Sequence, residues 1–363
     1  MKVCFLNHTL DESGGAGKFC RSLLEALQRL EPRLEYVVLT SEASGAPDEL
    51  PLVFPSKRRL TVALPRIRDV MRRYEVLHAL DGYPFGVVAA LASLGLPSKL
   101  MITAIGTGAL EPLSRPIAGR LLRWAYRRAA AVTAISRNTQ SELLKAMPDL
   151  KIEVINHGVD AKEFAEAPEV SEAEKLEIKK LKPYVLSVGA LKPRKGFSYS
   201  LRAFAGIGES FPELRYVIVG GGERDRVEAE ILQLRLSGRV TIFDQVPREF
   251  LRVLYRNAEF FILLPVAEAG DVEGFGLVFL EAAASGLPVI GTLESGAADA
   301  VADGRNGFLV PPRDSRAAAE AMRRILSDAG LRQKFVRGSL EWAALMSWER
   351  AAQEYLNIYQ RLI

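Results

Sequence analysis

The chain's 363 residues exceed one ordinary domain and fit two of typical size. With 48% apolar and 25% charged residues it is not a disordered chain, and its two cysteines cannot build a disulfide framework. A net charge of +4 is too mild to point to nucleic acid, and no run of eighteen apolar residues offers a membrane-crossing helix.

From the N-terminus, short apolar runs alternate with helical patterns. The opening KVCFLNHTLD reads as a strand running into a glycine loop, not as a leader with a cleavage site, and Cys4 reads as a small core residue. Together with residues 3–7, the runs at 36–40, 76–79, 100–104, 131–135 and 152–155 have the near-continuous apolar character of strands buried on both faces of a parallel sheet. Between them lie helical stretches such as 18–30, with Phe19, Leu23, Leu24 and Leu27 at helical spacing. This alternation predicts a doubly wound α/β domain over 1–165. Residues 166–182 are polar and charged and read as a linker. A second α/β series follows over 183–346, with strands expected at 184–188, 216–219, 240–243, 260–264, 288–291 and 308–310 and helices at 198–205 and 279–284. The expected fold class is α/β: two Rossmann-like domains facing a central cleft, with ligands at the carboxyl ends of the strands.

Residues 265–312, PVAEAGDVEGFGLVFLEAAASGLPVIGTLESGAADAVADGRNGFLVPP, read as loop, glycine turn, helix, strand, second glycine turn and strand. Gly274 and Gly276 let the backbone come close to a ligand. A helix from about Leu277 points its amides and positive dipole end at that ligand, which suits a diphosphate. Glu273 sits in the loop before that helix and Glu281 two turns further on; eight residues on one helix would put them about 80° apart in rotation. They are therefore expected to serve different ends of an extended ligand.

EGFGLVFLEAAASGLPVI closely resembles the E-x7-E signature of the retaining GT-B glycosyltransferases of family 4, and the resemblance runs on through SGAADAVADGRNGFLVPPRD. YVLSVGALKPRKGF resembles that family's VGRLxxxKG strand and loop, FDQVPREFLRVLYRNAEFF its segment beside the nucleotide base, and LHALDGYP and VINHGVDAKEF further family segments, so that nearly the whole chain is covered. The resemblance implies a hexosyltransferase using a nucleoside diphosphate hexose such as GDP-mannose or UDP-glucose, with no metal or other cofactor. It makes Glu273, Lys195 and Arg194 the catalytic group: Glu273 on the hexose hydroxyls, Lys195 on the diphosphate. Arg194 stands in for the arginine the family carries where this chain has Ala190. Gly15, Gly189, Val246, Phe275, Gly276, Leu277, Val278 and Glu281 become donor-binding, with Glu281 on the ribose. His78, Thr103, Thr107 and Glu111 become acceptor candidates. Other departures are Gln245 for a glycine, His157 for an asparagine, and Ile105 where the family often has a histidine near the anomeric carbon. In the family's usual proposal the departing diphosphate itself accepts the acceptor's proton. Residues 347–363, with Trp348, Tyr355, Leu356, Ile358, Tyr359 and Leu362, match a terminal helix that packs back on the first domain.

Basic residues cluster in the first half. From Lys57 to Arg73 there are seven Lys or Arg against Asp69 alone, and from Arg115 to Arg128 five arginines among Ile117, Leu121, Leu122 and Trp124. Such faces fit an anionic membrane surface or a solvated helix face equally. The expected activity is hexose transfer to a glycan, lipid-linked or small-molecule acceptor in cell-envelope or polysaccharide biosynthesis. The expected location is the cytoplasm or the inner face of the plasma membrane. The rival readings on the same fold are a non-catalytic nucleotide-sugar-binding protein and a sugar-nucleotide epimerase.

Overall fold

The computed structural model describes residues 1–12, 14–53, 57–166, 168–268 and 271–363, with the side chain of Lys57 outside that description. Ser13 of the glycine loop, Ser56 before the basic helix, Ala167 of the expected linker, and Ala269 and Gly270 of the donor loop thus lie outside the described residues. The chain forms two compact units, Met1–His157 with Trp348–Ile363, and Gly158–Ser347.

The first unit is built on seven parallel strands, β1 (Lys2–Asn7), β2 (Glu35–Thr40), β3 (Glu49–Leu50), β4 (Val76–Ala79), β5 (Lys99–Ala104), β6 (Ala131–Ala134) and β7 (Glu153–Val154), in the order β3-β2-β1-β4-β5-β6-β7. Its helices are α1 (Gly15–Leu30), α2 (Lys57–Met71), α3 (Val87–Ala92), α4 (Gly106–Leu110), α5 (Pro116–Arg128) and α6 (Arg137–Ala146). The central strand β1 carries Val3, Cys4, Phe5 and Leu6 in succession, all without exposure. A strand flanked by parallel neighbours and covered on both faces has no polar side to alternate with. Strand β3 gives no apolar run to read. Instead Glu49 turns its carboxylate to Ser44 and Gly45, accepting from the Ser44 amide at 2.6 Å, the Ser44 hydroxyl at 2.9 Å and the Gly45 amide at 3.1 Å.

The second unit has six parallel strands, β8 (Tyr184–Val188), β9 (Arg215–Val219), β10 (Val240–Phe243), β11 (Phe261–Ile262), β12 (Val289–Thr292) and β13 (Gly307–Val310), in the order β10-β9-β8-β11-β12-β13. This is the 3-2-1-4-5-6 order of a dinucleotide-binding sheet, whose strand order reverses beside its first strand. The helices are α7 (Ala161–Ala165), α8 (Glu172–Leu181), α9 (Phe197–Ala205), α10 (Arg224–Gln233), α11 (Arg248–Asn257), α12 (Leu277–Ala284), α13 (Ala297–Ala300), α14 (Ser315–Ser327) and α15 (Ala329–Leu345). The segment 166–182, expected as a linker, holds α8 instead, and the division between units falls at His157 and Gly158. Ser171 and Glu174 close a capping box at its start, and Ile178 and Leu181 are buried, which a free connector would leave in water.

The chain ends in α16 (Trp348–Leu362), a member of the first unit that packs on α1. Trp348, Tyr355, Leu356, Ile358 and Tyr359 are buried there. Trp348 meets the rings of Phe19 and His157, both at 5.8 Å between centroids, and Glu349 pairs with Arg29 at 3.0 Å.

Candidate functional site

In the second unit the loops at the carboxyl ends of the strands, with helix α12, carry the residues singled out as donor-binding other than Gly15. After β8 the chain turns at Gly189, whose φ of +154° is in the region L side chains avoid, and the stem of Lys195 fills the space a Cβ there would approach at 3.5 Å. Gly220, after β9, packs so tightly that a Cβ would lie 1.9 Å from the Gly189 carbonyl oxygen, and the Leu191 amide donates to Gly221 at 2.8 Å. The Gly220–Gly222 run was not singled out in the sequence, although three glycines directly after a strand signal such a close approach. Further on, Gly196 at φ +69° rests on the chain just past β11: a Cβ there would collide with the Leu264 carbonyl at 1.6 Å. The Val266 amide donates to the Arg194 carbonyl at 2.8 Å. These contacts fix Arg194 and Lys195 beside the loop that follows β11.

That loop brings Glu273 to them. Glu273 is 7% exposed, and its Oε2 accepts from Arg194 Nη1 and from Lys195 Nζ, each at 2.6 Å. Burial alone would raise its pKa, but the charges of Lys195 and Arg194 and their hydrogen bonds outweigh that and hold the carboxyl below its ordinary value. Asp271, which the sequence reading passed over, lies 3.1 Å from Arg194 Nε. The Glu273 carbonyl accepts from the Gly296 amide at 3.0 Å, and a Cβ on Gly296 would fall 2.2 Å from the Gly274 carbonyl oxygen, so the loop is seated directly on backbone.

Helix α12 begins at Leu277, after Gly276 at φ +84°, so Glu273 lies in the loop before it, as expected. The left-handed glycine breaks the helical path between the two glutamates, so the 80° figure for one continuous helix does not apply to them. Gly276 offers no side-chain cap, and Leu277 and Val278 are part-exposed at the start of the helix while Phe275 is buried before it. Glu281, 6% exposed in the middle of α12, accepts from the buried Tyr255 hydroxyl of α11 at 3.0 Å. Tyr255 was another omission, since only the fold joins α11 to α12. Burial, with the Glu281 charge beside it, pushes the Tyr255 pKa well up. Val246 sits part-buried in the loop between β10 and α11. The arrangement offers two cations, an ionised carboxylate and a helix start at one edge of one sheet, the chemistry needed to hold an anion next to hydroxyl groups.

In the first unit Gly15 opens α1 behind the Gly14 cap, which carries no side-chain hydrogen bond. His78 and Thr103, expected to face an acceptor, lie with no exposure inside the core. His78 Nδ1 pairs with the Tyr359 hydroxyl at 2.6 Å and Nε2 with the Thr103 hydroxyl at 2.7 Å, and Thr103 pairs with Thr133 at 2.8 Å. The physical reason is α16, which covers the end of these strands and turns their polar side chains into a buried network. Thr107 stays exposed on α4, and Glu111 pairs with Arg115 at 2.7 Å. Ile105 caps the start of α4.

The basic helices divide into structural and outward-facing residues. Arg68 donates to the carbonyls of Ala92 and Leu94, Arg123 to Leu113 and Arg128 to Ser93. Arg72 and Arg73 pair with Asp69. Arg58, Arg59 and Arg66 face outward around Val62, which is 79% exposed, and Arg120 stands between Ile117, 74% exposed, and Leu121. Helices α2 and α5 both pack against α3. Among the described residues no helix is long and apolar enough to cross a membrane.

Two family profiles match the chain: "Glycosyl transferases group 1" over residues 170–342 and "Glycosyltransferase Family 4" over residues 13–163. The chain is 30% identical over 337 residues to a D-inositol 3-phosphate glycosyltransferase of Acidothermus cellulolyticus, covering 86% of this chain and 72% of that protein. It is 29% identical over 297 residues to a GDP-mannose-dependent alpha-(1-6)-phosphatidylinositol monomannoside mannosyltransferase of Mycolicibacterium smegmatis, covering 78% of this chain and 77% of that protein. Its fold is similar to that of Anabaena HepE, solved in complex with UDP-glucose, with a TM-score of 0.80, 19% identity, and 99% and 100% of the two chains covered.

Proposed function

Since the chain belongs to the group 1, family 4 glycosyltransferases of GT-B fold, we propose that it transfers a hexose, with retention at the anomeric carbon, from a nucleoside diphosphate hexose to a lipid-linked or glycan acceptor of the cell envelope. The observation that carries this is the Glu273 carboxylate oxygen shared by Arg194 and Lys195 at the carboxyl edge of the second unit's sheet. Lys195 and Arg194 take the diphosphate, with the start of α12 beside them. Glu273 turns to the hexose hydroxyls and Glu281, backed by Tyr255, to the ribose. The acceptor oxygen bonds to the anomeric carbon as its bond to the diphosphate breaks, and the acceptor proton passes to the departing diphosphate oxygen. The chain's cations neutralise the charge that develops there, so the reading assigns no metal to the reaction. GDP-mannose stands first among donors to test because the mannosyltransferase relative is named for it, with UDP-glucose second.

For the acceptor, the outward faces of α2 and α5 support work at an anionic membrane surface: they combine arginines with exposed Val62, Ile117 and Leu121. The deciding experiment measures nucleotide release from GDP-mannose, UDP-glucose, ADP-glucose and dTDP-glucose, with and without membrane lipid extract as acceptor. Release of GDP or UDP that rises with extract supports the reading. Binding without release from any donor would make the chain a sugar-nucleotide-binding protein instead.

A further inference from the structure

The donor cluster contains one charged group that the proposed roles leave unused. Arg194 is a fork with three nitrogens, and two of them face acids: Nη1 donates to Glu273 at 2.6 Å, while Nε lies 3.1 Å from an Asp271 carboxylate oxygen as an ion pair without a hydrogen bond. Among the described residues, Nη2 has no partner. Lys195 spends its Nζ on the same Glu273 oxygen. The ligand-free cluster is thus balanced, two cations against two carboxylates. A diphosphate that takes Lys195 and Arg194 must compete with Glu273 for both, and Glu273 is then free for sugar hydroxyls. A guanidinium released by its main carboxylate would be an untethered side chain, since its stem has several rotatable bonds. Asp271 prevents that. The Glu268 and Asp271 backbones exchange hydrogen bonds at 3.0 and 2.8 Å, and Arg313 donates to the Ala267 carbonyl at 3.0 Å and pairs with Glu268 at 3.2 Å.

Resting on the donor-site reading, we propose that Asp271 is a positioning residue: its carboxylate charge, 3.1 Å from Nε, keeps the Arg194 guanidinium in place so that its outer nitrogens meet the donor's diphosphate when Glu273 lets go.

The sign of the effect separates positioning from plain charge. A carboxylate near a diphosphate repels it, so Asp271→Asn acting through charge alone would tighten binding. Positioning predicts the reverse. Binding of GDP and UDP, and of GMP and UMP, is measured by calorimetry on the full chain and on Asp271→Asn, Arg194→Ala, Lys195→Ala and the Asp271→Asn/Arg194→Ala double variant. For whichever nucleotide binds, Asp271→Asn should weaken the diphosphate about 5- to 10-fold and the monophosphate less than 2-fold. The double variant should bind like Arg194→Ala alone, because a residue that acts through another adds nothing once that other is gone. Asp271→Glu should restore part of the loss. Tighter binding in Asp271→Asn, no change, equal loss for mono- and diphosphate, or additive losses in the double variant would each overturn the proposal. Diphosphate affinity untouched by Lys195→Ala, or neither diphosphate binding the parent chain, would overturn the donor-site reading and the proposal with it.

Discussion

Lys195 Nζ lies 2.6 Å from Glu273 Oε2, joining a loop after the first strand of the second unit to a loop after its fourth. The pair stores the donor site in a neutralised form. Glu273→Gln removes the carboxylate's charge without changing its shape. It should lower turnover by about 10²-fold or more, the scale of losing one group aimed at transition-state charge or substrate hydroxyls. Steady-state nucleotide release checks this, and a variant with parental turnover would remove Glu273 from the mechanism. The pH dependence has a definite sign. Because the folded-state pKa is depressed, the pairing is complete above the ordinary carboxyl range and is lost as pH falls through the depressed value. Activity should therefore show no acid limb from Glu273 above pH of about 4.5.

Gly296 tests whether the loop's seat matters separately from its charges. Its backbone is in the ordinary helical region, at φ −59°, so alanine brings no backbone strain there. What alanine does bring is a Cβ 2.2 Å from the Gly274 carbonyl oxygen. Gly296→Ala should cost about 1–3 kcal/mol of stability through overpacking. It should also displace Glu273, whose carbonyl accepts from the Gly296 amide. Nucleotide release is expected to fall further than the melting temperature alone explains. A variant equal to the parent in both would show that the loop shifts freely.

Most strands of both sheets were legible because they are runs of apolar residues between glycines and helices, and the runs at β8 and β10 coincide with those read from the sequence. The two-residue strand β3 was not, because its order comes from Glu49 gripping the Ser44 turn. The charge of segment 166–182 hid both the capping box of Ser171 and Glu174 and the two apolar residues that anchor α8. At the site, Glu273, Lys195 and Arg194 were readable as motif residues. Asp271 and Tyr255 were not: their partners Arg194 and Glu281 lie on other elements, and only the folded chain brings them together. His78 and Thr103 misled for the opposite reason. A polar residue in a strand reads as a site until the helix that buries it, here from the far end of the chain, is placed.

That buried network makes its own prediction. Tyr359→Phe removes the hydroxyl that pairs with His78 Nδ1 at 2.6 Å and leaves a buried nitrogen without that partner, which should cost about 1–3 kcal/mol. Denaturant unfolding followed by tryptophan fluorescence measures it, and an undiminished midpoint would show that the network has another way to satisfy His78. Burial pushes the pKa values of both His78 and His157 down to about 3. Between their ordinary value and about 3, the unfolded chain binds protons that the folded chain refuses. Stability from these two is thus complete above pH of about 6.5 and declines on acidification, at up to about 1.4 kcal/mol per pH unit for each. His78→Gln should flatten part of that slope.

The outward face of α2 gives the last prediction, and here the spacing decides it. Arg58, Arg59 and Arg66 stand four before, three before and four after Val62, so all share one helical face around an apolar residue that is 79% exposed. In water, that exposure is simply a poor use of a valine. At an anionic bilayer the arginines meet headgroups and the valine enters the boundary, with each arginine contributing about 1 kcal/mol. Arg58→Ala/Arg59→Ala should therefore lower partitioning onto vesicles containing phosphatidylglycerol by roughly 30-fold, the equivalent of about 2 kcal/mol. Val62→Ser should weaken it as well, through the apolar contribution, and with less dependence on salt than the arginine pair. Arg68, committed to the Ala92 and Leu94 carbonyls, should instead show its loss as reduced stability. Co-sedimentation at low and at physiological salt distinguishes the cases. Binding that is unchanged in the double variant at both salts would leave α2 as a solvated face and move any membrane contact elsewhere.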